Sequence, residues 1–312
     1  VAMLLSVVTQ LLFQKKYLKD PDGVALGEAP VDAPKWFQKL PVMVLFLFVL
    51  SLVTIALVYI DVKVVSYLFY LLLACIILIA VVVFTDKTTS SIEKQKILVI
   101  FVVSFFVIFF WSAFEQAGAS LTFFADEQTN RNLGWYEVPA SFFQSLNSIF
   151  VVTFAPVFAW LWIKLGKHEP ASPFKMAIGL MLLALGYLWI ATGVNGVGTG
   201  VKVSMIWLVG MYMMHTFGEL CLSPIGLSLV NKLAPLKFAS LLMAVWFTAN
   251  AFANKLAGVF STLYPEEGKP TSFAGWEITN LHDFFMFFVG MAGIASIILF
   301  LLSKKLKNLM EQ

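Results

Sequence analysis

Two glutamates lie inside long apolar segments of this chain, where a charged side chain is unfavourable. Glu115 lies in FFWSAFEQAGASLTFF and Glu219 in MMHTFGELCLSPIGL. A carboxylate at the centre of a bilayer costs about 2.5–3.5 kcal/mol on insertion scales, so such a group usually faces a cavity or a partner. A carboxyl group in a wet crevice can gain and lose a proton, either to carry that proton or to open a salt-bridge gate. The residues alone do not separate these two roles.

Polar residues recur along the segment around Glu219. Four of them share the helical spacing i, i+4, i+8 and i+11: His215, Glu219, Ser223 and Gly226. This spacing predicts one polar stripe between apolar flanks, which is typical of a water-accessible cavity. Pro224 interrupts the helix one turn after Glu219, and interrupted helices at bilayer depth often border binding sites. Packing against a neighbouring helix is the alternative for Glu219, and a buried neutral state is the alternative to proton relay for His215.

Two further apolar segments carry regularly placed polar side chains. Trp246, Asn250 and Asn254 fall on one helical stripe, and an indole beside amides can line a pocket for a polar ligand with apolar parts. Hydrogen bonding between helices is the alternative for Asn254. Another segment holds four polar residues within about one turn, and these need partners or water: Gln144, Ser145, Asn147 and Ser148.

The composition identifies the elements that must position these residues. Hydrophobic residues make up 60% of the 312-residue chain and charged residues only 12%, against about 25% charged residues in soluble proteins. Apolar runs of this length predict transmembrane helices, and therefore an all-α, polytopic membrane protein. Full spans are predicted at about 41–60, 64–84, 97–124, 138–163, 174–193, 203–230, 238–263 and 283–303, after a partial span at 1–13.

Lysine and arginine predict the orientation. Sixteen of these residues lie in the ends and loops on one side and only four on the other. The positive-inside rule then places both chain ends in the cytoplasm, with a cytoplasmic linker at 14–40 and a tail at 304–312. Because the chain opens with Val1 inside an apolar run, we expect it to be a fragment that starts within a helix.

Several classes of function lack support in the residues. The net charge is only +3 and no basic cluster with interleaved aromatics occurs, so nucleic-acid binding is not expected. The chain carries no HExxH or GxSxG motif and no paired metal ligands, so we expect no enzyme, cofactor or metal site. The glycine-rich stretch 193–200 has no preceding strand and no following GK[ST], which excludes a phosphate-binding loop.

Four segments resemble a known family. They are similar, in this order, to the seventh, eighth, tenth and eleventh helices of the proton-coupled oligopeptide transporters: FFWSAFEQAGASLTFFAD (109–126), FQSLNSIFVVTFAPVFAWLW (143–162), GELCLSPIGLSLVNKLAP (218–235) and AVWFTANAFANKLAG (244–258). This family is a branch of the major facilitator superfamily. The resemblance covers most of 97–303 in the right order.

The resemblance implies an architecture and an activity. Residues 97–303 would form the C-terminal six-helix bundle of a major facilitator fold, and 41–84 the extra helix pair of bacterial members. The family moves di- and tripeptides by alternating access, driven by inward proton movement, and the resemblance to bacterial members implies the bacterial inner membrane for this chain. This chain would supply half of the binding site, because the N-terminal six-helix bundle with its cations is missing, and we expect no transport by the chain alone.

Roles for individual residues follow from the matched motifs. Asn147 and Glu219 would contact the amino terminus of the peptide, and Ser223 and Trp246 would line the pocket. Glu115 would occupy the position for proton coupling and the outer gate. These roles are implied by the resemblance and not by spacing.

The chain departs from the family pattern at three positions. Ser148 replaces a frequent proline, Ala119 replaces a usual serine, and Asn250 in the pocket replaces a smaller polar residue. Alternatives stay open, because the same scaffold could serve another function with a different N-terminal half. A related transporter of nitrate, amino-acid derivatives or other small organic ions is one, and a membrane sensor or assembly subunit without transport is another. A membrane enzyme ranks lowest.

Overall fold

Helices form from the long apolar runs, because within a bilayer every backbone N–H and C=O group must find its partner inside the protein. The structure, a computed structural model, describes residues 2–17, 40–60, 62–198, 201–265, 270–273 and 275–311. Most of the predicted linker at 14–40 lies outside these residues. The α-helices are α1 (Ala2–Tyr17), α2 (Leu40–Ile60), α3 (Val62–Thr85), α4 (Ser91–Phe114), α5 (Ser120–Phe123), α6 (Phe142–Leu165), α7 (Ser172–Val194), α8 (Met205–Leu233), α9 (Ala239–Ser261) and α10 (Leu281–Glu311).

The chain divides into two units, residues 1–68 and 69–312. The first unit holds α1, α2 and the beginning of α3. Helix α2 has 21 residues and α3 has 24, so both stretches predicted as the extra helix pair are helical. Their assignment as an extra pair stays a prediction.

The second unit contains the apolar helices of the bundle. Six helical stretches among the described residues are long and apolar enough to cross a membrane: Ser91–Glu127, Phe142–His168, Ser172–Val194, Met205–Leu233, Leu236–Ser261 and Leu281–Glu311. These coincide with the six spans predicted between 97 and 303. The predicted all-α, polytopic membrane fold is therefore confirmed.

The centre of the bundle is formed where α7 packs against both α8 and α10. Tyr187 of α7 is fully buried there and stacks on Phe288 of α10, with 4.7 Å between ring centroids. Its hydroxyl donates a hydrogen bond to the Ala113 carbonyl oxygen of α4, at 2.6 Å. Helix α6 is peripheral, because it packs mainly against α8 and Phe143 is its only buried residue. Helix α9 packs against α4, and α4 also contacts the central helices α7, α8 and α10.

The first span of the bundle, predicted over 97–124, lies within the helical stretch Ser91–Glu127, but this stretch is interrupted and is not one continuous α-helix. Helix α4 begins earlier, where Ser90 and Glu93 form a reciprocal capping box. It ends at Phe114, and a 3₁₀ turn follows over Glu115–Gly118. The chain resumes as α5 and a π-helical turn at Phe124–Gln128. We call Glu115–Ala119 the α4 break, and it places Glu115 where the helix direction changes.

Short strands replace part of the predicted loops at one end of the bundle. Strand β1 (Thr129–Asn130) pairs in parallel with β2 (Val203–Ser204), just before α8 begins. Strand β3 (Thr271–Phe273) pairs antiparallel with β4 (Trp276–Ile278) ahead of α10. Towards the C-terminus, α10 continues to Glu311 and so includes most of the stretch predicted as a tail at 304–312.

Helices α7 and α8 approach each other through two glycines, which leads to a prediction. A Cβ added at Gly218 would lie 2.6 Å from the carbonyl oxygen of Gly179, and one at Gly179 would lie 2.7 Å from the carbonyl oxygen of Gly218. Small residues allow such close packing in membranes. Because the obstacle is backbone, no side-chain rotation relieves it. We expect Gly218→Ala to lower the free energy of unfolding by about 1–3 kcal/mol, measured by thermal unfolding in detergent.

Gly290→Ala in α10 is the matched control. A Cβ at Gly290 meets no atom within 4 Å, and alanine is favoured over glycine in helices by about 1 kcal/mol. The control variant should therefore unfold at or above the wild-type temperature. Equal unfolding temperatures for both variants would contradict the close α7–α8 contact.

Candidate functional site

A cavity of about 310 Å³ opens between α4, α8 and α9. Its volume falls at the lower end of the range for small-ligand sites, about 300–1,000 Å³. Four of its lining residues are predicted site residues: Glu115, Ser223, Trp246 and Asn250. The others are Trp111, Leu227, Phe247 and Asn254. The cavity therefore combines two indoles, two amides, a hydroxyl and a carboxyl group.

Trp246 forms one wall of the cavity because α8 is narrow at Gly226. A Cβ at Gly226 would lie only 2.0 Å from Cη2 of the Trp246 ring. The indole thus packs on the backbone of α8, and Trp246 is almost fully buried. Asn250 lies one turn later on α9, and its Nδ2 donates to the Trp246 carbonyl oxygen at 3.2 Å.

Glu115 extends from the 3₁₀ turn into this cavity and is exposed. No described residue donates a hydrogen bond to its carboxyl group or forms an ion pair with it. The charged group that acts on it electrostatically is Glu219 of α8. A carboxyl group without a partner in a cavity is free to bind a proton or a cation.

Glu219 is instead held by α6. Asn147 Nδ2 donates to Glu219 Oε2 at 2.8 Å and also contacts Thr216 Oγ1 at 3.2 Å. Hydrogen bonds to a charged acceptor are among the strong ones, so this pair fixes the carboxylate in place. Glu219 lies one turn before Ser223 on α8 and is half-buried, but it does not line the 310 Å³ cavity. The candidate site thus has two neighbouring parts, the cavity and the Asn147–Glu219 pair.

His215 lies elsewhere, and the prediction that it shares a cavity-facing stripe with Glu219 and Ser223 is wrong. Its ring is buried between α7 and α8, 4.7 Å from the Tyr187 ring centroid, and it packs directly on Gly186. The buried Nε2 atom has no hydrogen-bond partner among the described residues. Different helices cover successive turns of α8: α7 packs on His215, α6 binds Glu219 and α9 packs on Gly226, so residues of one stripe do not share one cavity.

Thr216 is a site residue that the spacing did not reveal. Its hydroxyl donates to the Tyr212 carbonyl oxygen at 2.8 Å and leaves a lone pair for Asn147. It lies three residues before Glu219, on the same side of α8, which is the signal that could have identified it. No group of three or more His, Cys, Asp or Glu side chains comes together as metal ligands in the described ranges.

A larger cavity of about 1010 Å³ lies among the loops next to the short strands. It contains none of the predicted site residues. Tyr264 and Glu127 line it, and burial together with the Glu127 carboxylate raises the pKa of the Tyr264 hydroxyl above its usual value. The phenol is therefore protonated at neutral pH. We assign the candidate site to the smaller cavity, where the unpaired carboxyl group lies.

Comparisons with known proteins show which family the chain resembles. The model of the POT family matches residues 66–274. An uncharacterized transporter of Bacillus subtilis is 43% identical over 50% of this chain and 32% of its own length. A peptide transporter of Yersinia enterocolitica is 42% identical over 48% of this chain and 30% of its own. A di-/tripeptide transporter of Lactococcus lactis subsp. cremoris is 32% identical over 65% of this chain and 39% of its own.

Solved structures show the same fold. A peptide transporter POT in complex with sulfate has a TM-score of 0.74 and 29% identity over 99% of this chain and 61% of that chain. A POT family transporter in complex with 5-aminolevulinic acid has a TM-score of 0.70 and 26% identity over 97% of this chain and 61% of that chain. The chain spans about a third of the length of the curated relatives that it matches. Because the family match covers more than half of the 312 residues, the chain belongs to the POT family, whose members are transporters and not enzymes.

Proposed function

We propose that the whole protein is a proton-coupled symporter of di- and tripeptides that works by alternating access. In this proposal the present chain supplies the C-terminal half of the substrate site. The observation that carries it is the Asn147–Glu219 hydrogen bond of 2.8 Å beside a cavity that Glu115, Ser223, Trp246 and Asn250 line. The similarity to peptide transporters of two bacteria supports the class of substrate.

The amino terminus of a peptide is chemically complementary to the Asn147–Glu219 pair. Its ammonium group can pair with Glu219 while Asn147 keeps the carboxylate in position, and a charge-assisted hydrogen bond of this kind is strong. The indole of Trp246 offers an apolar wall for a side chain. The cavity lining contains no lysine or arginine. The peptide carboxylate therefore needs cations from elsewhere, and we assign them to the N-terminal six-helix bundle of the same protein.

Proton coupling follows from the second carboxyl group. Glu115 lines the cavity and Glu219 lies one turn of α8 before the cavity residue Ser223, and like charges near one cavity repel unless one is neutralised. An ammonium group on Glu219 and a proton on Glu115 together remove both charges. Binding of peptide and proton is then favoured jointly, which is the thermodynamic requirement for symport.

The setting that we propose is a bacterial inner membrane, with the lipid bilayer around the bundle. The lysine distribution supports cytoplasmic positions for both ends of the chain. Sixteen Lys and Arg residues lie in the ends and loops on that side and four on the other.

Gly226→Ala is expected to weaken peptide binding about tenfold. The new Cβ would overlap the Trp246 ring, so the indole must leave the wall of the cavity. Equilibrium titration of the purified protein with a dipeptide measures this. Gly258→Ala in α9 is the control, because a Cβ there meets no atom within 4 Å. If both variants bind with wild-type affinity, the Trp246 wall is not part of the peptide site.

The proposed function is tested with the whole protein in liposomes. An inward proton gradient should drive accumulation of a labelled dipeptide, and a protonophore should abolish the accumulation. Unlabelled tripeptide should compete, whereas nitrate or an amino-acid derivative should not. Competition by those ions without competition by peptide would instead support a related transporter. Peptide binding without flux would support a sensor and overturn the proposal.

A further inference from the structure

We propose that Gln116 is a positioning residue for Glu115, because it fixes the 3₁₀ turn of the α4 break against α9 so that the Glu115 carboxyl group faces the cavity. This inference rests on the proposed function, in which Glu115 carries the coupling proton. It assigns a role to a residue that lies next to the site and does not line it.

The Gln116 side-chain amide is fully buried, and both its nitrogen and its oxygen form hydrogen bonds. Its Nε2 donates to the carbonyl oxygen of Ala257 in α9, at 3.0 Å, and contacts the Ser112 carbonyl oxygen at 3.2 Å. Its Oε1 accepts a hydrogen bond from Ser120 Oγ at 2.6 Å. One side chain therefore connects the end of α4, the beginning of α5 and α9.

The direction of Glu115 follows from this connection. Successive residues in a 3₁₀ turn point about 120° apart, so a buried Gln116 on the α9 side leaves Glu115 on a different side. Glu115 lines the cavity and Gln116 does not. Rotation of the turn would carry the carboxyl group away from Ser223 and Trp246.

Two other neighbouring helices form hydrogen bonds with the residues that flank the break. From α7, the Tyr187 hydroxyl donates to the Ala113 carbonyl oxygen at 2.6 Å. From α6, Gln144 Nε2 donates to Thr122 Oγ1 at 2.8 Å, and Thr122 in turn donates to the Ala117 carbonyl oxygen at 2.9 Å. The break and its flanking residues are thus hydrogen-bonded to three neighbouring helices, α6, α7 and α9, and the Gln116 bonds are those next to Glu115.

Titratable and charged groups near Glu115 could also affect the pH profile of exchange. The titratable residues of α8 in this region are Glu219, one turn before the cavity residue Ser223, and His215, whose ring centroid lies 6.2 Å from that of Phe114. From α9 the facing groups are the amides of Asn250 and Asn254, which do not titrate. Lys255 of α9 does not line the cavity and forms no ion pair with a described residue. Comparison with the Glu115→Gln background therefore shows which part of a change in the pH profile comes from the Glu115 carboxyl group.

The test is a double-variant cycle in the whole protein. Gln116→Leu removes the polar atoms at similar volume, and peptide exchange across liposomes is measured as a function of pH. We expect the pH profile of exchange to shift, as for a misplaced reacting group, and the exchange rate at its optimum to stay within about threefold of wild type. In a Glu115→Gln background, Gln116→Leu should change neither quantity. Equal changes in both backgrounds would overturn the proposal, because they would indicate a structural role only.

A second readout separates this proposal from the proposed function. The carboxyl band that Glu115→Gln removes is identified by infrared difference spectroscopy and is titrated in wild type and in Gln116→Leu. We expect its midpoint to differ between the two, and identical midpoints would overturn the positioning role. This holds even if the wild-type protein moves no peptide, which would overturn the proposed function alone. If Gln116→Leu does not fold, Ser120→Ala, which removes only the hydroxyl that donates to Oε1, should shift the same band.

Discussion

Glu219→Gln is expected to reduce proton-driven peptide uptake about 100-fold or more. The glutamine keeps the shape and the contact with Asn147, but it removes the negative charge that would pair with the peptide ammonium group. Loss of one partner of a buried, hydrogen-bonded charge pair costs about 2–5 kcal/mol, and each 1.4 kcal/mol corresponds to a factor of ten. Both uptake and equilibrium binding should fall, because the interaction exists before any proton moves.

The measurement is uptake of a labelled dipeptide into liposomes that contain the whole protein. Glu277→Gln provides the matched control, since Glu277 is exposed in β4 and lies far in sequence from the site. Thermal unfolding of both variants confirms that they remain folded. Uptake by Glu219→Gln at the wild-type rate would remove Glu219 from the substrate site.

Glu115→Gln is expected to abolish peptide accumulation against a concentration gradient and to retain peptide exchange. The Glu115 carboxyl group lines the cavity but has no hydrogen-bond or ion-pair partner among the described residues, so its removal leaves no buried group unpaired. The amide cannot bind and release a proton. Binding of peptide to Glu219 survives, because the Asn147–Glu219 pair lies on α6 and α8 and does not involve α4.

Two assays on the same liposomes separate these outcomes. Exchange of labelled for unlabelled dipeptide without a proton gradient should stay within about threefold of wild type, which is less than 1 kcal/mol. Accumulation driven by an inward proton gradient should disappear. Retained accumulation would assign the coupling proton to another group, and loss of exchange as well would indicate that Glu115 also contacts the peptide.

The positions of the helices were predictable from the residues. An apolar run that is long enough to span a bilayer has few alternatives to a helix, because its backbone groups have no water to bond. The four matched segments hold all the residues that the resemblance assigns to the substrate site and to proton coupling. Which of them share one cavity was not predicted: Glu115, Ser223, Trp246 and Asn250 lie there together, whereas Asn147 and Glu219 pair beside it.

Other features depend on contacts between helices that no local pattern encodes. The α4 break is stabilised by Gln116, Tyr187 and Gln144, and two of these lie on other segments of the chain. The burial of His215 depends on Gly186, a glycine on a different helix that leaves room for the ring.

The sequence by itself determined that the chain is a membrane bundle with two acidic helices, since hydropathy and charge are properties of each residue. Only the tertiary structure decided which way the polar side chains face. A helix that drifts by about 40° every four residues can present the same residues to lipid, to a neighbour or to a cavity. The helices that pack against α4 and α8 determine which of these environments each side chain faces.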